Sequence, residues 1–167
     1  MIDDFCKQLI GEDVKLFSEV MDCVLNPSAY FENHLEDFLE RGFEEEDIEE
    51  VDDIRLLGMV DILIANEFAC ELDWKTDIDE FIHWVEEMPV IKRNGLTLDR
   101  GDFDEDDCIA IWCKIVDDKW KENDICIAAI DIESDSYVIF PYAASKMNNL
   151  IATANGCGIR VDYAKNM

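Results

Sequence analysis

The sequence predicts an α+β fold, with N-terminal helices packed on a mainly antiparallel sheet of four to five strands. Three observations carry this. Apolar residues recur at helical spacing through the first 66 positions. From residue 68 the spacing shortens to alternation, the period of a strand. Residues 125–132 are apolar at nearly every position, which marks a strand covered on both faces.

Ile2, Phe5, Cys6 and Leu9 define a short amphipathic helix that stops near Gly11. Val14, Phe17, Val20, Met21 and Val24 define a second, ended by Asn26-Pro27 because the residue before proline avoids the α region. Ser28 is placed to cap a third, with Phe31, Leu35, Phe38 and Leu39 on one face and Gly42 at its stop. The acidic run 44–53 reads as a loop or as the entry to the next helix. That helix, 53–66, is apolar on most sides, so it is expected at the centre of the fold.

Cys70, Leu72 and Trp74 alternate with Glu71 and Asp73 as a strand with one wet face. Asp77, with Glu80 behind it, caps a helix whose buried stripe is Ile78, Phe81, Ile82 and Val85 and which ends before Pro89. Asn94-Gly95 is a turn, with a short strand expected at 96–98. A further helix is expected to start in the acids Asp104–Asp107 and to run through Ile111, Trp112, Ile115 and Trp120. The strand 125–132 follows, then a turn at Glu133-Ser134-Asp135 and a return strand Tyr137–Tyr142, with Pro141 at its end or at an edge. Met147, Leu150, Ile151 and Ala154 form a last helix closed by Asn155-Gly156, and Ile159, Val161 and Tyr163 the last strand. The order is of the βαββαβ type, similar to a ferredoxin-like sandwich. The N-terminal helices are expected to cover the face that the C-terminal helices leave open. Residues 1–167 read as one domain, 1–67 the helical layer and 68–167 the sheet-forming part.

Asp and Glu outnumber Lys and Arg by 41 to 14, a net charge of −27. Residues 1–107 hold 33 acids and 8 bases, and the remainder hold 8 and 6. With 49% apolar residues the chain can build a core, so the acidity does not signal disorder. Nucleic acids are excluded as partners, because polyanions are bound by Lys and Arg that displace counterions. Anionic membranes are disfavoured for the same reason. No stretch approaches the roughly 18–20 uncharged apolar residues of a membrane span. The nearest, 54–64, is interrupted by Arg55 and Asp61. The N-terminus lacks a basic segment followed by an apolar one, so no secretory signal is expected. Seven cysteines, odd in number and without a CxxC pair, read as reduced core residues of a cytoplasmic protein.

Motifs for chemistry are sparse. His34 sits on an apolar helix face and reads as a packed imidazole. His83, between Asp79 and Glu87 at helical spacing, reads as a solvent-facing ion partner. Phosphate-loop, dinucleotide, serine-elbow and zinc-protease motifs are missing, so no catalytic residue and no cofactor is assigned. Asp102, Asp104 and Asp106 have the spacing of a calcium loop and are weak metal candidates, but Asp107 stands where such a loop needs glycine. Trp74, Trp84, Trp112 and Trp120 read as core or core edge, with Trp84 the expected exception.

The stretch Glu71-Leu72-Asp73-Trp74-Lys75, the helix Asp77–Val85 and the later Asp131–Tyr142 resemble a family of small acidic bacterial proteins, domain of unknown function 6630. The resemblance covers roughly the C-terminal 100 residues and brings no catalytic residues with it. Proteins of this kind loosely resemble immunity proteins of polymorphic toxin systems, which implies a basic, toxin-like protein partner.

The expected function is therefore protein binding by an acidic cytoplasmic module. Glu44, Glu45, Glu46, Asp47, Glu49 and Glu50 are the expected contact residues, with Asp102, Asp104, Glu105 and Asp106 as a second patch. Their role is charge complementarity, which raises on-rate and specificity. The alternative is a divalent-cation-dependent or carboxylate-based enzyme, which requires a pocket of convergent acids.

Overall fold

The computed structural model describes all residues 1–167. The N-terminal stripes form α1 (Ile2–Ile10), α2 (Val14–Leu25), α3 (Pro27–Asn33), α4 (Leu35–Glu40) and α5 (Val51–Ala65). Then come β1 (Cys70–Asp73), α6 (Ile78–Glu87), α7 (Pro89–Asn94) and α8 (Ile109–Trp120). The chain closes with β2 (Ile125–Ile130), β3 (Ser136–Ala143), α9 (Met147–Gly156) and β4 (Val161–Tyr163). Short polar residues cap helices where the sequence offers them: Asp13 accepts from the Leu16 N–H at 3.0 Å and Asp77 from the Glu80 N–H at 2.9 Å.

The segment Ile-Cys-Ile-Ala-Ala-Ile has no polar side chain, and β2 is buried at every position. Its side chains alternate between two cores. Cys126, Ala128 and Ile130 join Val138 and Phe140 of β3 under α1, α2, α5 and α9. Ile125, Ile127 and Ala129 join Ile139 and the residues of α6, α7 and α8 on the other face. A third, small cluster of Phe31, Phe38 and Ile54 seats α3 and α4 against α5.

The sheet has four strands in the order β1-β3-β2-β4, all neighbours antiparallel. The antiparallel character matches the expectation; the ferredoxin-like order does not. In a ferredoxin-like sheet β1 is central and β2 lies at an edge, whereas here the two have changed places. The right-handed preference of crossovers explains the consequence. From β1 the chain travels to β2 in the direction opposite to a ferredoxin-like fold, so its helices α6–α8 fall on one face. The β3-to-β4 crossover keeps its direction, so α9 falls on the other. The N-terminal helices therefore share a face with α9 rather than having one to themselves.

Four local expectations are also corrected. The third helix breaks at His34, whose backbone leaves the α region at φ −125° and ψ 28°. Its Nδ1 lies 2.9 Å from the Tyr30 carbonyl and its ring stacks on Tyr30 at 4.0 Å. The helix begins with Pro27 in its first turn, so Ser28 is not the cap. Residues 96–98 form no strand, and the Leu98 N–H is taken by the Glu86 carboxylate at 2.6 Å. The acids 104–107 precede α8 as a turn instead of forming its first turn, because Asp104 Oδ1 accepts from the Asp106 N–H and the Asp104 carbonyl from the Trp112 indole at 2.8 Å. Pro141, by contrast, sits where expected. It pairs with Ile127 past the end of β1, which reaches only Ile139.

Ile127 turns its own N–H away from Pro141 to Asp117 Oδ1, 2.7 Å away, so the proline misses no donor. Asp117 is 7% exposed. Lys165 Nζ stands 2.9 Å from its Oδ2, off the line of a hydrogen bond. Burial pushes the Asp117 carboxyl above its ordinary value, against the pull of Lys165 and the Ile127 N–H. A carboxyl raised in the folded state binds its proton more tightly there, so its contribution to stability grows as pH falls through that raised value. Asp117→Asn keeps the acceptor and removes the titration. Urea unfolding at neutral and mildly acidic pH is therefore expected to show the wild type gaining stability relative to Asp117→Asn as the solution is acidified.

Gly58 is where α5 meets α2 and α3. A Cβ there would lie 2.6 Å from Cys23 Sγ and 2.8 Å from Tyr30 Cε1, so the helices approach this closely only over glycine. Gly58→Ala is expected to cost about 1–3 kcal/mol by overpacking, read as a lowered urea midpoint at unchanged slope.

Candidate functional site

The first expected patch is a 3-10 turn, Glu45–Glu49, closed by a reciprocal cap in which the Glu44 side chain accepts from the Asp47 N–H and Asp47 from the Glu44 N–H. Glu44, Glu45, Glu46, Glu49 and Glu50 are exposed and Asp47 is half-buried. No Lys or Arg pairs with any of the six.

The second patch is already engaged by bases of its own chain. Asp102 is paired with Lys119, and Glu105 with Arg100 at 3.0 Å. Arg100 also reaches Asp79 at 3.2 Å, which fixes the patch at the N-terminal end of α6. Asp102, Asp104 and Asp106 do not converge: one meets a lysine, and the other two share a turn. No group of three or more His, Cys, Asp or Glu side chains in the chain is arranged to hold a metal ion.

A highly charged concavity lies elsewhere, at the free edge of β1. An opening of about 790 Å³ is walled by α5 from one helical layer and α6 from the other, with α4 across its rim. Six carboxylates line it: Asp37, Glu40, Asp61, Glu67, Glu71 and Glu87. Asp37 and Glu40 come from α4 and the other four from α5, the turn after it, β1 and α6, and α4, α5 and α6 all present their C-terminal turns to it, the negative ends of their dipoles.

Arg41 is the one arginine inside. Its Nε donates to Asp61 at 3.1 and 3.3 Å, and a terminal nitrogen bridges Asp61 and Glu71, the latter at 3.0 Å. Burial works against the charge of Arg41, but the hydrogen bonds it donates to Asp61 and Glu71, with their charges, outweigh it and hold the guanidinium above its ordinary value. The fork ties α4 to α5 and β1.

On the opposite wall His83 meets Trp84 edge to face at 5.4 Å, and the indole is 45% exposed. His83 forms no ion pair, since Asp79 is taken by Arg100 and Glu87 by Lys92. That contact with Lys92 lowers the Glu87 carboxyl. Trp84 is thus exposed as expected, and Trp74, 56% exposed under Lys75, is a second exception. Trp112 and Trp120 are core.

Glu67 follows α5 with φ +56°, the left-handed conformation usually given to glycine. Its N–H caps the Ile64 carbonyl, and the next residue, Phe68, caps that of Leu63. A second groove, about 760 Å³ and mostly apolar, lies between the start of α5 and the loop after α9, and Glu133 on its rim is also left-handed, at φ +57°. All seven cysteines are free, and burial pushes Cys70, beside the first cleft, up to about 12.

A family model described as Domain of unknown function (DUF6630) matches residues 2–164. The chain belongs to this family. The match takes in the helical layer as well as the sheet, so the likeness extends well beyond the C-terminal part. No curated protein and no solved structure matches the DUF6630 chain. No helix in it is long and apolar enough to cross a membrane.

The Arg41 fork is testable. Arg41→Ala leaves two half-buried carboxylates facing each other and is expected to cost about 2 kcal/mol. Arg41→Lys recovers less than half of that, because an ammonium cannot span both partners as the planar fork does. Urea unfolding of the two variants measures both.

Proposed function

We propose that this chain is a binding module for a basic protein surface, and that the cleft beside β1 is where it engages. The observation that carries the reading is the convergence on one opening of six carboxylates, of which Asp37, Glu40 and Glu67 pair with no base, with one exposed indole and the C-terminal ends of α5 and α6. A field of that sign attracts lysine and arginine and repels phosphate. The indole adds a face on which a cation can rest. The acids 44–50 widen the negative surface along the chain from α4 and speed encounter over a longer range. The second patch, neutralised by Arg100 and Lys119, contributes less.

A narrower form of the proposal is an immunity protein that masks a basic toxin, and it rests on size and charge. A reducing compartment such as the cytoplasm suits seven unpaired cysteines. Carboxylate catalysis is less well supported, since Asp61 and Glu71 are both committed to Arg41.

Two triple variants of equal net charge separate a site from bulk acidity. Asp37→Lys/Glu40→Lys/Glu67→Lys alters the cleft, and Glu44→Lys/Glu45→Lys/Glu46→Lys alters the turn. On a poly-lysine-coated sensor at moderate salt, the cleft variant is expected to bind about tenfold more weakly than the turn variant. Equal losses would mean that the acidity acts as bulk charge and would remove the cleft from the proposal.

A further inference from the structure

We infer that the cleft takes an extended, lysine- or arginine-bearing segment of the partner, which adds to the sheet as a new strand beside β1. This rests on the binding reading above and specifies its mode. β1 pairs with β3 alone, so it is an edge strand. Beyond that ladder the backbone of Cys70, Glu71 and Leu72 makes no hydrogen bond within the chain, and Asp73 only accepts from the Thr76 N–H at 2.9 Å. In an antiparallel pair alternate residues turn N–H and C=O away from the neighbour. Half of the backbone groups of β1 therefore turn outward, and all of these but the Asp73 carbonyl look for partners outside the chain.

Sheet edges are ordinarily blunted by shortness, charged side chains (lysine above all), proline, a bulge or a covering element. β1 reads Cys-Glu-Leu-Asp, and its register with β3 runs unbroken from Cys70 to Asp73. It is short and carries the carboxylates Glu71 and Asp73, which turn away acidic strands, but it has no lysine, no proline and no bulge to turn away a basic one. The flanking helices wall the edge without closing it, leaving the opening of about 790 Å³ along Ala69–Glu71. The strand is about 13 Å long, which matches a segment of four residues.

Charge selects the occupant. Side chains of an added strand alternate between the two walls. One wall offers Asp37, Glu40 and Glu67 beyond the Asp61–Arg41–Glu71 fork, and the other the exposed indole of Trp84 beside the Glu87–Lys92 pair. Lysine or arginine at alternate positions meets a carboxylate or an indole face on either side, whereas an acidic segment is repelled. A second copy of this chain, pairing β1 with β1, would press two acidic clefts together. Main-chain bonds supply the affinity and the alternate side chains the specificity.

The test uses the whole protein and the blocked peptide Lys-Val-Lys-Thr-Lys-Val-Lys. Its companions are a Glu-for-Lys version and a version N-methylated at alternate backbone nitrogens. The lysine peptide is expected to bind and to slow amide exchange within Cys70–Asp73. The N-methylated peptide, with its charge intact, is expected to bind about tenfold more weakly or worse, since it cannot donate to the edge. The glutamate peptide is expected not to bind. Equal affinity for the methylated peptide, with exchange at β1 unchanged, overturns strand addition while the charge reading stands. A lysine peptide that binds no better than the glutamate peptide overturns both. A free protein that is already dimeric, with β1 amides protected, shows a second copy on the edge and overturns the inference.

Discussion

The strand Ile125–Ile130 is buried at every position, and a strand buried on both faces needs a helical layer on each side. That requirement organises the molecule. It divides the apolar residues into two cores that meet only through the sheet. It demands crossovers on opposite faces, which an exchange of β1 and β2 relative to a ferredoxin-like order provides. The N-terminal helices thicken one layer, and Gly58 lets α5 settle close to α2 and α3 within it. Even the irregular features serve this strand: Asp117 takes the Ile127 N–H beyond the end of β4, and Pro141 stands opposite without a missing bond.

The cleft is a by-product of the same topology. Once β2 is central, β1 is left at an edge, and the elements on either side of it belong to different layers. α5 and α6 cannot pack on one another across the thickness of the sheet, so a trough opens between them. Their C-terminal turns both line it. Arg41 bridges the trough on one side only, to α5 and β1, and leaves the α6 wall unlinked.

Much of this was legible in the residues. The unbroken apolar run of 125–130, the stripes of α1, α2 and α6, and the antiparallel hairpin follow from the residue pattern alone. The break at His34 was not legible, because Phe31, Leu35 and Phe38 keep helical spacing straight through it. Nor was the helical turn of α7, which Pro89 opens rather than excludes. The strand expected at 96–98 failed for a tertiary reason, a carboxylate from Glu86 in the place of a neighbouring strand. The cleft was the least visible feature. Its acids lie in four different elements, each reading locally as a solvated helix face or a strand's wet side. Among 41 acids nothing in the spacing singles out Asp61 and Glu71. The signal present was Arg41, a lone base in the acidic stretch from Glu32 to Asp53, which in hindsight marks where carboxylates converge.

Glu67 stands at the end of α5 in a conformation that glycine adopts freely and an L side chain does not. Its carboxylate also sits against the negative end of that helix. Both features cost stability, and glycine would relieve both. Glu133 repeats the left-handed backbone at the rim of the other groove. Two of the three left-handed non-glycine residues thus stand at groove mouths, and the third, Asp124, ends the short turn after α8. For an engineer this separates two kinds of position. Rim residues are where thermostability is cheaply gained and, on the proposed binding reading, where recognition is most readily lost, so a hardened version of this scaffold is best built by leaving Glu67 for last.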